Sequence, residues 1–281
     1  AESTFKNNHL VVDAVHTAPG ENQLSIEFVA GDDSLNRNDE FLYTLFVPAR
    51  AHLAFPCFDQ PDLKARYTLT LEVPEGGQAV ANGQAGSDRA ADTRVRLRFA
   101  ETQPLPTYLF AFAAGKFQVE SARRHGREFN LLHRETDAAK VARNREAIFD
   151  LHASALAWLE EYTGIEYPFG KFDFVLVPAF QFGGMEHAGA ILYNASGLFL
   201  DESATQNQFL GRASLIAHET AHMWFGDLVT MRWFTDVWMK EVFANFMAAK
   251  IVNPSFPDVN HELRFLLAHH PSAYQVDRTA G

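Results

Sequence analysis

Cysteine is almost missing: Cys57 is the only one, so the chain cannot close an internal disulfide and its fold does not depend on oxidation. Between Pro56 and Phe58 it reads as a small buried hydrophobe. Long apolar runs are absent too; none approaches the roughly 20 residues needed to cross a bilayer, and Ala1–Leu10 lack the basic-then-apolar order of an export signal. A signal removed earlier is compatible with this, so the compartment stays open between cytoplasm and periplasm or export. Positive charge is the scarcer sign, with 24 Lys and Arg against 35 Asp and Glu and a formal net charge of -11. Like-charge repulsion then argues against nucleic acid or an anionic membrane as the main partner, while a cationic substrate end is attracted. Internal repeats and low-complexity tracts are also lacking.

What is present suffices for one or two cores, since 47% of the 281 residues are hydrophobic. Helical periodicity is nearly absent from the first 120 residues, which read as short strands, clearest at 42–47, 65–73, 95–99 and 108–113. Tyr67, Leu69, Leu71 and Val73 alternate with Thr68, Thr70 and Glu72, the period-two pattern of a half-buried strand, and Pro74, Gly76 and Gly77 end it. A β-rich first domain over 1–121 is expected, with the basic stretch Arg123–Arg127 as the crossing into a second domain over 122–281. There Ile148, Leu151, Ala155, Trp158 and Tyr162 recur at helical spacing and Gly164 is a stop signal. A strand is expected at 171–177, a glycine-bearing loop at 182–190 and a strand at 191–193. Helices follow at about 205–225 and 236–251, the second ending before Pro254. The fold class is α+β.

His218-Glu219-Thr220-Ala221-His222 is an H-E-x-x-H motif within a helical stripe of Phe209, Ala213, Ile216 and Thr220. Residues four apart project from one helix face, so both imidazoles can reach a single tetrahedral ion, for which zinc is well suited. Glu219 lies about 100° round the helix, where a carboxylate can act on an activated water without ligating the ion, the position of a general base. A catalytic zinc needs a third protein ligand, and Glu241 on the next helix supplies one if the two helices pair. Asn245, one turn after Glu241, could orient a ligand; Asp236 and Asp227 are further candidates, with helix capping or solvated charge as their ordinary reading. His269 and His270 are adjacent on the chain and do not converge on one ion.

These residues resemble the aminopeptidase N family of thermolysin-like zinc exopeptidases (gluzincins). The likeness extends through His218–Gly226, Val229-Thr230, Trp233 and Trp238–Ala244, and through Phe55-Pro-Cys-Phe-Asp59 with Pro61 and Lys64-Ala65. It implies a β-sheet-rich N-terminal domain joined to a thermolysin-like mixed α/β zinc-peptidase domain. One Zn2+ per chain is implied, with peptides carrying a free N-terminus as substrates and the N-terminal peptide bond as the bond cut. Gly183-Gly184-Met185-Glu186-His187 resembles the family's G-x-M-E-N motif, which makes these five the substrate-binding segment and Glu186 the partner of the α-ammonium. His187 stands where the family has Asn. Val47 stands where a glutamine or acid commonly helps grip the amine. The family's oxyanion-stabilising tyrosine is expected beyond residue 281, and both ends are expected to be cut relative to the family. The alternatives are a thermolysin-type endopeptidase, an epoxide-hydrolase branch of the same family, and a non-catalytic scaffold, whose expected mark is loss of the metal ligands. The preferred N-terminal residue and the oligomeric state stay open.

Overall fold

The computed structural model describes residues 3–89 and 94–279. Its first part consists of antiparallel strands: β1 (Ser3–Lys6), β2 (His9–Val12), β3 (Leu35–Arg37), β4 (Phe41–Thr44), β5 (Leu69–Pro74), β6 (Gln78–Ala81), β7 (Ala85–Arg89), β8 (Arg94–Phe99) and β9 (Phe112–Gly115). They form a β1-β2 pair, a sheet ordered β3-β4-β9-β6 and a sheet ordered β5-β8-β7. In β5 the alternation has its expected effect, with Leu69, Leu71 and Val73 turned inward and Thr70 and Glu72 exposed. Three expected strands are shorter in fact. The strand expected from residue 65 begins at Leu69, although Ala65 still bridges Leu105. The segment 42–47 leaves its sheet after Thr44, ahead of a cis peptide at Val47-Pro48. The segment 108–113 starts as a 3-10 turn at Thr107–Leu109 behind Pro106, and pairing begins only at Phe112.

The second part is built on a mixed sheet ordered β10-β11-β12-β14-β13, from β10 (Gln118–Arg124), β11 (Arg127–His133), β12 (Phe172–Val177), β13 (Gly184–Met185) and β14 (Ala190–Asn194). β11, β12 and β14 run parallel, and the outer strands are antiparallel to their neighbours. All six residues of β12 are buried, as befits a central parallel strand covered on both faces. Arg123–Arg127, expected as the crossing between domains, is the tip of the β10-β11 hairpin, and β10 itself runs through residue 121. Its arginines pin the hairpin to a helix: Arg124 binds Glu146 and Asp150, and Arg127 binds Glu160.

That helix, α1 (Ala138–Thr163), starts ten residues before Ile148, because Asp137 caps it by accepting from the amides of Ala139 and Lys140. It ends at Gly164 in the left-handed conformation, φ 67°. After α2 (Ala195–Leu198), the helix α3 (Gln206–Ala221) opens with a capping box between Thr205 and Gln208. It contacts both α1 and α4 (Val237–Val252). It stops four residues short of Phe225, the expected end, because the chain folds back so that the Phe225 carbonyl meets the His222 ring. A further helix without a sequence forecast, α5 (His261–Arg278), contains Pro271 and has no buried residue. Among the described residues no helix is long and apolar enough to cross a membrane.

Candidate metal centre and active site

Helices α3 and α4 lie side by side and bring three donor atoms together. His218 Nε2 and His222 Nε2 are 3.0 Å apart, and Glu241 Oε2 lies 3.3 and 3.5 Å from them. Tetrahedral ligands at zinc bond lengths near 2.0–2.1 Å are separated by about 3.3 Å, so the spacing fits one such ion. The far side of each ring shows which nitrogen is free. His222 Nδ1 donates to the Phe225 carbonyl at 3.0 Å, and a carbonyl can only accept. His218 Nδ1 meets Asn245 Oδ1 at 3.2 Å. With Nδ1 occupied in this way on each ring, the two Nε2 atoms are the ones that converge with a carboxylate oxygen, an arrangement that a bound cation would stabilise. Of the three further candidates only Asn245 meets a donor ring; Asp236 makes no side-chain cap, and Asp227 is buried with no hydrogen-bond partner to its carboxylate.

Glu219, between the histidines, is 4% exposed, and its Oε2 has no hydrogen-bond partner. Burial pushes its carboxyl up to about 8 in the metal-free chain. Its place depends on a neighbour in the edge strand β13. A Cβ built on Gly184 would fall 2.4 Å from Glu219 Oε1 and 2.6 Å from its Cγ, so only glycine lets the strand pass this close. Gly183, Gly184, Met185 and Glu186 line the same cavity of about 500 Å³ as the three donors and Glu219. His187 does not line it. Its ring is fully buried, with neither nitrogen hydrogen-bonded.

Lys240, which neither periodicity nor motif spacing singled out, shares the cavity and forms a buried ion pair with Glu186. Burial opposes the charge on Glu186, but the ammonium wins and keeps the carboxyl low. Lys64, in the Phe55–Ala65 signature of the first part, donates to the carbonyls of Asp227 at 2.8 Å and Leu228 at 3.0 Å. The first part thereby grips the turn that follows the H-E-x-x-H helix.

An H-E-x-x-H helix, a second helix supplying a glutamate, and a mixed sheet whose edge strand borders the cavity make up the layout of the thermolysin-like metallopeptidase class. The model of the Peptidase M1 N-terminal domain matches residues 6–109, and that of the Peptidase family M1 domain matches residues 148–281. The chain belongs to peptidase family M1. Among curated relatives, it is 36% identical to a puromycin-sensitive aminopeptidase of Caenorhabditis elegans, over 82% of this chain and 24% of that protein. It is 33% identical to a leucyl aminopeptidase of Saccharolobus solfataricus, over 83% and 29%. It is 34% identical to tricorn protease-interacting factor F2 of Thermoplasma volcanium, over 78% and 27%. The chain thus spans about a quarter of the length of the curated relatives it matches.

Proposed function

We propose that this chain carries the core of a zinc-dependent aminopeptidase that hydrolyses the N-terminal peptide bond of peptides. The observation that carries the reading is the meeting of two imidazole Nε2 atoms and a carboxylate oxygen within 3.0 to 3.5 Å of one another. The names of the relatives, aminopeptidases of an animal and an archaeon, support the substrate class.

In this reading His218, His222 and Glu241 hold one zinc ion per chain, which supplies the Lewis acidity that polarises the scissile carbonyl and makes water acidic. Asn245 and the Phe225 carbonyl fix the two imidazoles so that their Nε2 atoms stay turned to the ion. Glu219 takes the proton of the attacking water and returns it to the leaving amine. A buried carboxyl with a raised proton affinity suits both halves of that transfer. Glu186 anchors the α-ammonium and so selects the first peptide bond. Gly183-Gly184-Met185 borders the cavity on the outermost strand of the sheet, so a substrate backbone can add alongside it.

The test is hydrolysis of aminoacyl amides with and without a chelator. The expected result is chelator-sensitive release of the N-terminal residue that Glu219→Gln lowers by about 10²- to 10⁴-fold while the metal stays bound. Full hydrolysis in that variant, or in chelator, would refute the reading.

A further inference from the structure

The turn that follows α3 is wider than an α-helical one. The amides of Asp227, Leu228 and Val229 donate to the carbonyls five residues back, those of His222, Met223 and Trp224, at 3.0 to 3.1 Å. The turn closes on the His222 ring: the Phe225 carbonyl accepts from its Nδ1 at 3.0 Å, and a Cβ built on Gly226 would come within 3.3 Å of that nitrogen. Three successive carbonyls of this turn accept from side chains of the first part of the chain. The Tyr108 hydroxyl reaches that of Gly226 at 3.4 Å, and the Lys64 ammonium reaches those of Asp227 and Leu228 at 2.8 and 3.0 Å. Both carboxylate oxygens of Asp227 are without a hydrogen-bond partner, so the ammonium holds the backbone of that residue and not its side chain. Thr230 braces the Gly226 and Asp227 carbonyls from within the turn, whereas Lys64 ties the turn to another sheet.

We propose that Lys64 is a positioning residue for the metal centre: from the first part of the chain it holds the turn that orients His222, and so raises zinc affinity across the junction of the two parts. The proposal rests on the reading of His222 as a zinc ligand. The link runs through one residue, because the Asp227 carbonyl accepts from Lys64 while the Asp227 amide donates to the His222 carbonyl. An ammonium donating to two carbonyls is a charge-assisted contact, stronger than a neutral pair. Without it the turn loosens, and the Phe225 carbonyl no longer fixes the plane of the imidazole. Direct partners of metal-bound imidazoles are worth about tenfold to a hundredfold in affinity, and Lys64, one step further out, belongs at the lower end. By linkage, bound zinc tightens the hold of Lys64 on the turn by the same factor.

Chelator competition reads zinc affinity without turnover, and hydrogen exchange at the amides of 227–229 reads the turn in the metal-free chain. Lys64→Met keeps the aliphatic stem and removes the donor; it should lower zinc affinity about tenfold and speed exchange at the turn. Lys64→Arg, which keeps a charged donor, should stay within about threefold of wild type. Asn82→Ala is the control for a purely structural role. Asn82 is buried and its Nδ2 joins the first part to the Ala188 carbonyl at 2.8 Å, away from the turn. Whatever that variant costs in stability, its zinc affinity should stay within about threefold of wild type. Lys64→Gln, with a stem too short to span both carbonyls, repeats the test if Met at this half-buried position unfolds the chain. The proposal is overturned if the folded Lys64 variant binds zinc as tightly as wild type, or if Lys64→Arg or Asn82→Ala loses as much as Lys64→Met. Failure of the zinc reading appears separately, as a wild-type chain that takes up no zinc, while exchange at the turn still reports whether Lys64 holds it.

Discussion

Adding one methyl group at Gly184 perturbs the proposed general base, Glu219, without touching the three residues proposed to hold the metal. The Cβ of Gly184→Ala would lie 2.4, 2.5 and 2.6 Å from Oε1, Cδ and Cγ of Glu219. Heavy atoms in contact settle about 3.5–4.0 Å apart, so the carboxylate must retreat by about 1 Å. The strand cannot easily give way instead, because Gly184 is in register with Tyr193 and the Asn194 amide donates to the Gly183 carbonyl at 2.9 Å. Glu219 is buried, so its retreat crowds its neighbours; such overpacking costs about 1–3 kcal/mol of stability. A misplacement near 1 Å costs on the order of 10²-fold in rate. The expected outcome is a kcat lowered about a hundredfold with KM and zinc content near wild type, together with a small fall in the urea midpoint. Steady-state kinetics and metal analysis on the same sample read all of this. A kcat within threefold of wild type, with zinc retained, would show that the Glu219 carboxylate is not what the edge strand positions for proton transfer.

Asn245→Ala removes the acceptor that orients His218, and zinc affinity should fall about tenfold to a hundredfold in a chelator competition; unchanged affinity would refute the orienting role. His152, fully buried against Phe174 and Tyr193, has its imidazole held down at about 3 by burial. Its folded value lies below the unfolded value near 6.5, so the neutral ring's contribution is present above about pH 6.5 and lost as pH falls from there toward 3. Urea unfolding at pH 7 and at pH 4.5 should show a loss of about 3 kcal/mol from this group, at 1.36 kcal/mol per unit, and His152→Gln should flatten the dependence. An equally steep fall in that variant would place the titration elsewhere.

The convergence of the three donor side chains was legible because helical geometry is local. Once His218 and His222 stand four apart and Glu241 stands on the next helix, only the pairing of α3 with α4 remains to be supplied. Asn245 was legible for the same reason, one turn from Glu241. Lys240 was not, since its partner is fifty-four residues away and charge compensation across elements leaves no periodic mark. Nor does the sequence carry the demand on Gly184, which comes from a helix side chain packed on an edge strand. The arginines at 124 and 127 mimic a linker because their acidic partners, Glu146, Asp150 and Glu160, lie along α1, out of sight of a local window. Helix α5 leaves Leu263, Phe265, Leu266 and Leu267 exposed and buries nothing, and Pro271 reads as a break.

The donor cluster of α3 and α4 is tested most directly by metal stoichiometry in the purified chain. The account predicts one zinc per chain in the wild type and in Glu219→Gln, and loss of tight binding in His218→Ala and Glu241→Ala. A wild-type chain that takes up no zinc when it is offered, or ligand variants that keep a full equivalent, would contradict it.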